Sequence, residues 1–321
     1  MSRPILAILG ATGQQGGSLA RAALADPHRR FAVRALTRRP QGAAALSLSR
    51  AGAQVQHADL DDPASLAQAF AGAHALFAMT NFWEHGSAER ELVQAANIAA
   101  AARANRVKHV MWSTLEDTRD FMALHDPRMP TLQGRFKVPH LDAKGESHRL
   151  FEDAGLPTTF LYLSFYWDNL IHFGMGPQRT ADGDLVFSLP IGDVPLPGMA
   201  AQDIGPCALA LLAQGEAAVG QHVGIAGAHL TLTEMAHSLA RALGEPVRPH
   251  AMAPADYARL GFAGAGELAN MFQFKRDFNA AFRARRPVDA TRRLHPGALD
   301  FEAWLARHAH ELAQQPAAAG H

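Results

Sequence analysis

The stretch Ile5-Leu6-Ala7-Ile8-Leu9-Gly10-Ala11-Thr12-Gly13-Gln14-Gln15-Gly16 decides how the rest of the chain is read. An apolar run passes directly into glycines at every third position, and Ser18 to Leu24 continues with helical spacing, which predicts strand, tight turn, helix. In such a turn Gly10 permits the reversal, Gly13 lets the backbone approach a diphosphate, and Gly16 lets the helix lie close on the strand. The anion then sits at the helix N-terminus. Thr12, Gln14 and Gln15 belong to the same turn and count with it as cofactor-binding candidates. A glycine turn of an unrelated α/β protein has similar spacing, so the reading rests on the elements after the turn.

Those elements alternate strictly. Phe31–Thr37 predicts a second strand, Ala43–Arg50 a helix, Gln54–His57 a third strand and Pro63–Phe70 a helix with Pro63 at its start. His74–Met79 and Val107–Trp112 predict further strands on either side of a long helix from Ser87 to Ala104. Alternation with crossovers of helical length predicts an α/β fold, a Rossmann-type parallel sheet covered by helices on both faces. The rhythm breaks between Asp117 and Pro139, where Pro127, Pro130 and Gly134 mark loop. A helix over Leu141–Glu152 and a strand over Thr158–Leu163 resume it. Beyond, Leu189–Gly198 reads as an excursion from the sheet, Gln202–Ala213 as helix and Val223–Ile225 as strand. Thr231–Leu243, Pro254–Leu260, Glu267–Phe278 and Leu299–Leu312 read as helices of a smaller mixed C-terminal lobe. The expected organisation is a dinucleotide-binding core over 1–155, with the strand at 158–163 and parts of 200–230 returning to it. The remainder of 165–312 forms the smaller lobe packed against it, and 313–321 a frayed, disordered tail.

Composition bounds the function. The 321 residues are 48% apolar and 19% charged, an ordinary globular profile. Lys plus Arg and Asp plus Glu total 30 each, with no basic tract suited to a phosphate backbone, so direct nucleic-acid binding is not expected. The single cysteine, Cys207, excludes an intramolecular disulfide and a thiolate-rich metal site. The 17 histidines show no metal-binding spacing, and no metal is expected. No signal peptide or membrane span is read, so a cytoplasmic protein, monomer or homodimer, is the expectation.

Strand ends carry the remaining site candidates, because open α/β sheets bind ligands there. After the second strand comes Thr37-Arg38-Arg39-Pro40, without the acidic residue that would accept from a free ribose diol. A guanidinium there pairs with a ribose 2′-phosphate, which favours NADP(H); Arg38 is the first choice and Arg39 the second, a solvated arginine pair being the alternative. Asp59-Leu60 follows the third strand, where Asp59 either accepts from the adenine amine or caps the next helix. Thr80 and Asn81 end the fourth strand, placed for ribose or nicotinamide, and Phe82 and Trp83 either wall a pocket or pack as core. Ser113 ends the fifth. His140 and Lys144, four apart on a helix, share a face and are expected to point to one cleft. Lys144 would orient the nicotinamide ribose, and His140 would be a general acid or a structural histidine. No Gly-x-Ser-x-Gly is present for a simple hydrolase.

These residues resemble the NmrA-like family of atypical short-chain dehydrogenase/reductase proteins, and within it the NADPH-sensing, redox-sensor type known in human. The resemblance is carried by residues 10–17, Thr37-Arg38, Thr80-Asn81-Phe82-Trp83-Glu84, Asp142-Ala143-Lys144-Gly145-Glu146, 188–195 and Leu268-Ala269-Asn270-Met271-Phe272. It implies a Rossmann domain for NADP(H), a smaller C-terminal lobe and regulation through protein contacts. It places Arg38 at the 2′-phosphate, Lys144 at the retained active-site lysine and Ser113 at the serine position. Ordinary short-chain dehydrogenases carry Tyr-x-x-x-Lys where this chain has His140-x-x-x-Lys144, so their usual proton donor is missing and His140 is left to substitute. Relatives that reduce quinones or phenolic compounds imply a substrate pocket from Phe82, Trp83, Phe165, Tyr166, Trp167 and Asn169, a stripe that a domain core would equally use. The expectation is therefore a redox-sensing regulatory protein with a protein partner. An NADPH-dependent reductase of quinones or related small electrophiles is the alternative, and an interaction protein with a vestigial site the third reading.

Overall fold

The computed structural model describes residues 3–313. Along the chain the elements begin β1 (Ile5–Ile8), α1 (Gln14–Leu24), β2 (Ala32–Thr37), α2 (Ala43–Arg50), β3 (Gln54–His57) and α3 (Pro63–Ala69). They continue with β4 (Ala73–Ala78), α4 (Ala88–Ala104), β5 (His109–Thr114), α5 (Pro139–Glu146), α6 (His148–Asp153) and β6 (Thr158–Tyr162). Next are β7 (Phe165–Tyr166), α7 (Asn169–His172), β8 (Gln178–Arg179), β9 (Leu185–Leu189), β10 (Leu196–Met199), α8 (Ile204–Ala213), β11 (His222–Gly224) and β12 (Ala228–Leu230). The last are α9 (Leu232–Leu243), β13 (Val247–Ala251), α10 (Pro254–Ala258), α11 (Ala265–Asp277), α12 (Asn279–Ala284), α13 (Val288–Leu294) and α14 (Phe301–Ala313). The expected tail over 314–321 lies outside the described residues, and Ala313, read as part of it, closes α14.

The chain divides into two compact units. The first comprises residues 1–117, 139–163 and 202–223 and holds a seven-stranded sheet in the order β11-β6-β5-β4-β1-β2-β3. The pairings among β1 to β6 are all parallel. The order reverses between β1 and β4, which makes the C-terminal end of β1 the switch point of a doubly wound sheet. Leu6, Ala7 and Ile8 are fully buried, as a strand covered on both faces requires. One side of the sheet is filled by Leu36, Leu66, Phe70, Ile98, Trp112 and Phe151.

Local chemistry sets the helix starts. Asp62 caps α3 by accepting from the Ala64 and Ser65 N–H groups with Pro63 at the first position, and Ser87 caps α4 through Arg90 N. Segment 202–213 returns to this unit because Ser18 Oγ donates to Gln202 O at 2.5 Å and accepts from Gly205 N at 2.9 Å. A Cβ on Gly205 would come within 2.2 Å of the α1 backbone, so only glycine allows α8 to lie against α1. The single helix expected over Leu141–Glu152 is two, α5 and α6. Ser147 Oγ donates back to Ala143 O at 2.6 Å, sharing that carbonyl with its own backbone N–H at 3.1 Å, a doubled bond of the kind that bends a helix.

The second unit comprises residues 118–138, 164–201 and 224–321. It contains the expected helices and, beside them, two three-stranded sheets, β12-β10-β7 and β13-β9-β8. Periodicity did not reveal these strands, which are two to five residues long, and two of them contain proline, Pro197 and Pro249. Residues 118–138, read as loop, are pinned within this unit by α11, where Asn270 Nδ2 donates to Pro130 O at 2.9 Å and Lys137 O at 2.6 Å. The Leu268–Phe272 block thus anchors a long loop.

Candidate functional site

The glycine turn lies at the switch point of the first unit. Gly10 has φ +63°, a left-handed conformation open to glycine, and its carbonyl accepts from Gly13 N at 2.9 Å. A Cβ on Gly16 would meet Leu9 O at 2.5 Å, so this glycine lets α1 approach β1. Gly13 is the N-cap of α1 and supplies no side-chain bond, which leaves the positive end of the helix open to an anion. Thr12 is exposed, while Gln14 and Gln15 are half-buried.

Around this turn the strand ends bring several candidates together. Ser113 Oγ donates to Gln15 Oε1 at 2.7 Å and so joins the end of β5 to the turn. Lys144 reaches the end of β4, where its ammonium donates to Thr80 O at 3.0 Å, Thr80 Oγ1 at 2.8 Å and Glu91 Oε1 at 2.8 Å. Thr80 Oγ1 in turn donates to Glu91 Oε1 at 2.6 Å, and Nζ stands 5.6 Å from the Trp112 ring centroid. Glu91, on α4, is fully buried, and its Oε2 makes no hydrogen bond. Sequence reading missed it because a carboxylate near the start of a helix reads as a favourable first-turn residue. The backbone of Lys144 is held as well, its carbonyl accepting from Thr114 Oγ1 at 3.1 Å and Trp112 Nε1 at 3.3 Å. Gly145 has no room for a Cβ, which would lie 2.4 Å from Asp117 N.

His140 is buried, its ring 5.0 Å from Trp83 and 5.7 Å from Phe82 between centroids. Phe82 is buried, whereas Asn81 and Trp83 are exposed. Beyond β2, Arg38 pairs with Glu84 and Arg39 is exposed, its backbone N–H donating to Thr37 Oγ1 at 3.2 Å. Asp59 and Leu60 are half-buried; the Asp59 carboxylate accepts from Asp61 N at 3.0 Å, and the cap of α3 is Asp62, not Asp59. Asp61, unnoticed in the sequence, ties this loop to α4 through Arg90 and Gln94, and the Arg90 guanidinium holds its carboxyl below the usual range.

Phe165, Tyr166, Trp167 and Asn169 belong to the second unit. Trp167 is buried there against Phe301 and Trp304, and Phe165 against Phe272. A Cβ on Gly198 would stand 2.3 Å from Trp167 Nε1, so that glycine makes space for the indole. Among the described residues no His, Cys, Asp and Glu group of three or more is arranged for a metal ion, and no helix is long and apolar enough to cross a membrane.

A parallel sheet in this order, with an uncapped glycine turn at its switch point, defines the class of doubly wound, Rossmann-type α/β folds. The chain belongs to the NmrA-like family, whose profile matches residues 3–305. It is 27% identical over 254 residues to the NmrA-like family domain-containing oxidoreductase lnbB of Aspergillus flavus, spanning 74% of this chain and 73% of that one. Among solved structures it is similar to NmrA, a negative transcriptional regulator, with TM-score 0.77 and 22% identity, covering 96% of this chain and 95% of that one. NmrA has been solved in complex with NADP and with NAD. The NADPH-dependent quinone oxidoreductase QOR2 of Escherichia coli, complexed with NADPH, is similar at TM-score 0.73 and 22% identity over 94% of this chain and 99% of that one.

Proposed function

We propose that this chain is a cytoplasmic NADP(H)-binding, redox-sensing regulatory protein that acts through protein contacts. The residues present fit the dinucleotide. Gly13 leaves the first turn of α1 free of a capping side chain for a diphosphate, and Arg38 and Arg39 stand where an acidic residue would otherwise accept from the ribose. Thr12, Gln14, Gln15, Thr80 and Asn81 would complete the binding edge. Bound NADPH supplies a hydride.

The observation that carries the regulatory reading is the commitment of Lys144. Its ammonium is engaged by Thr80 and Glu91, and Ser113 is engaged by Gln15. The tyrosine position of ordinary short-chain dehydrogenases holds His140, packed beside two aromatic rings. Such a site holds its residues in a fixed frame and has no phenol to donate a proton. A sensor then requires that NADPH and NADP+ bind the partner-competent conformation with different affinities.

A second reading, an NADPH-dependent reductase of quinones or similar electrophiles, is favoured by the placement of His140 against the exposed Trp83, where an acid could meet a planar substrate. Calorimetric titration with NADPH and NADP+, followed by NADPH absorbance with a quinone panel added, separates the two. Tight binding with negligible acceptor-dependent oxidation is expected for the sensor. Rapid, saturable oxidation would make the chain a reductase with His140 as the acid.

A further inference from the structure

Glu84 is not among the residues expected to touch cofactor or substrate. It ends the short 3-10 turn Phe82–Glu84 after β4, and its carboxylate accepts from the Arg38 guanidinium. β2 and β4 flank β1 in the sheet, so this ion pair bridges the C-terminal edge across β1, where the glycine turn begins. Both side chains are about half exposed, at 52% and 40%, and an exposed pair of this kind contributes little stability. It is therefore readily exchanged for a stronger partner. A phosphate monoester carries close to two negative charges and offers three acceptor oxygens, which makes it the better ligand for a guanidinium.

We infer that Glu84 sets the selectivity between dinucleotides with and without a 2′-phosphate, by competing with that phosphate for Arg38. The inference rests on the reading that Arg38 faces the 2′-phosphate. Glu84 opposes the phosphate whether it is displaced or stays, since a carboxylate left beside a phosphate repels it. NAD(H), with no charge at that position, leaves the pair intact. The competition also has a mechanical consequence. Trp83 is the neighbour of Glu84 on the same turn, 44% exposed, with its ring 5.0 Å from His140 and 5.3 Å from Phe82. Releasing Glu84 removes the side-chain tie from the turn that carries this indole, whose backbone bonds from Glu84 N to Asn81 O and from His85 N to Phe82 O remain. Because the 2′-phosphate is common to NADP+ and NADPH, the device separates NADP(H) from NAD(H) and is indifferent to oxidation state.

The test is calorimetric titration of NADP+ and NAD+ into the full chain, as wild type, Glu84→Gln, Arg38→Ala and the double variant. Glu84→Gln is expected to tighten NADP+ by about tenfold at low salt, the combined effect of freeing the Arg38 guanidinium and removing one like charge near a dianion. NAD+ affinity stays within about twofold, and the gain shrinks as added salt shortens the screening length. In the Arg38→Ala background the same substitution keeps only the like-charge part of that gain and loses the part that comes from freeing the guanidinium. Indole emission is expected to change with NADP+ and not with NAD+, and to lose that change in Trp83→Phe. Weaker NADP+ binding by Glu84→Gln would overturn the inference by making Glu84 an arm that orients Arg38, and equal changes for both dinucleotides would make the pair a simple loop tie. Absence of binding to either dinucleotide by the wild-type chain would overturn the cofactor reading as well, whereas normal binding with an unchanged preference in Glu84→Gln overturns this inference alone.

Discussion

Lys144 holds two roles that a single substitution cannot separate. Its ammonium braces Thr80 at the C-terminal edge of the sheet and also pairs with Glu91, which is fully buried. Lys144→Ala is expected to strand that carboxylate and to destabilise the protein by about 3–5 kcal/mol, more than the loss of one surface contact. The melting temperature should fall by on the order of 10 °C. The pair Lys144→Met with Glu91→Gln, which removes both charges, should recover most of the loss. Circular-dichroism melts of the three proteins check this, and a Lys144→Ala protein melting like wild type would contradict it. Any loss of activity in Lys144→Ala is therefore to be judged against the double variant. His109 supplies a second prediction. Burial, and then the neighbouring His74, hold its imidazole at about 4 against 6.5 in the unfolded chain, and its Nε2 lies 2.8 Å from Thr159 Oγ1. The folded protein keeps it neutral while the unfolded chain takes up a proton, so stability is full above about pH 6.5 and declines as pH falls toward about 4. The decline attributable to this residue is about 3 kcal/mol. Urea unfolding at pH 7 and pH 4.5 should show a smaller difference for His109→Gln than for wild type.

Among the elements, α11 has the clearest separable task. Asn270 is buried and its amide serves the carbonyls of both Pro130 and Lys137, while Gln273 Nε2 donates to Arg128 O at 2.6 Å. Asn270→Ala leaves two carbonyls of the 118–138 segment without this donor. The expected cost is about 2–4 kcal/mol of local stability, and limited proteolysis should cut that segment faster than in wild type. An unchanged cleavage pattern would show that the loop is held by its other contacts. The helix break between α5 and α6 is also an element-scale result. At Ser147 the backbone N–H still donates to Ala143 O at 3.1 Å and the side chain adds a second bond to the same carbonyl, while the next turn tightens, with Leu150 N donating to Ser147 O at 3.1 Å. Sequence periodicity could not show that choice, because serine inside a helix is compatible with either outcome.

For the whole molecule, a dinucleotide that binds only the folded first unit should raise its stability by mass action. NADP+ at a hundredfold its Kd is expected to add about 3 kcal/mol, and Arg38→Ala should need more NADP+ for the same shift in melting temperature. No shift at millimolar NADP+ would contradict the cofactor reading. The first unit was the most legible part of the chain. Its strands are short apolar runs separated by helical crossovers, and a glycine turn marks the first of them, so local pattern and global topology agree. The second unit was less legible, since its strands are short and partly exposed and its helices do not say which loop they will hold.

The sequence by itself determined the parallel sheet, the position of the glycine turn and the positions of Arg38, Ser113, His140 and Lys144 along their elements. These come from local spacing, which needs no knowledge of distant partners. Tertiary structure alone decided that Lys144 pairs with Glu91, 53 residues away, and Arg38 with Glu84, 46 residues away. It also decided that Trp167 packs as core in its own unit and that residues 118–138 join that unit. The physical reason is that a charged or aromatic side chain takes whatever partner the folded backbone brings within reach, and that partner is set by how strands and helices are stacked.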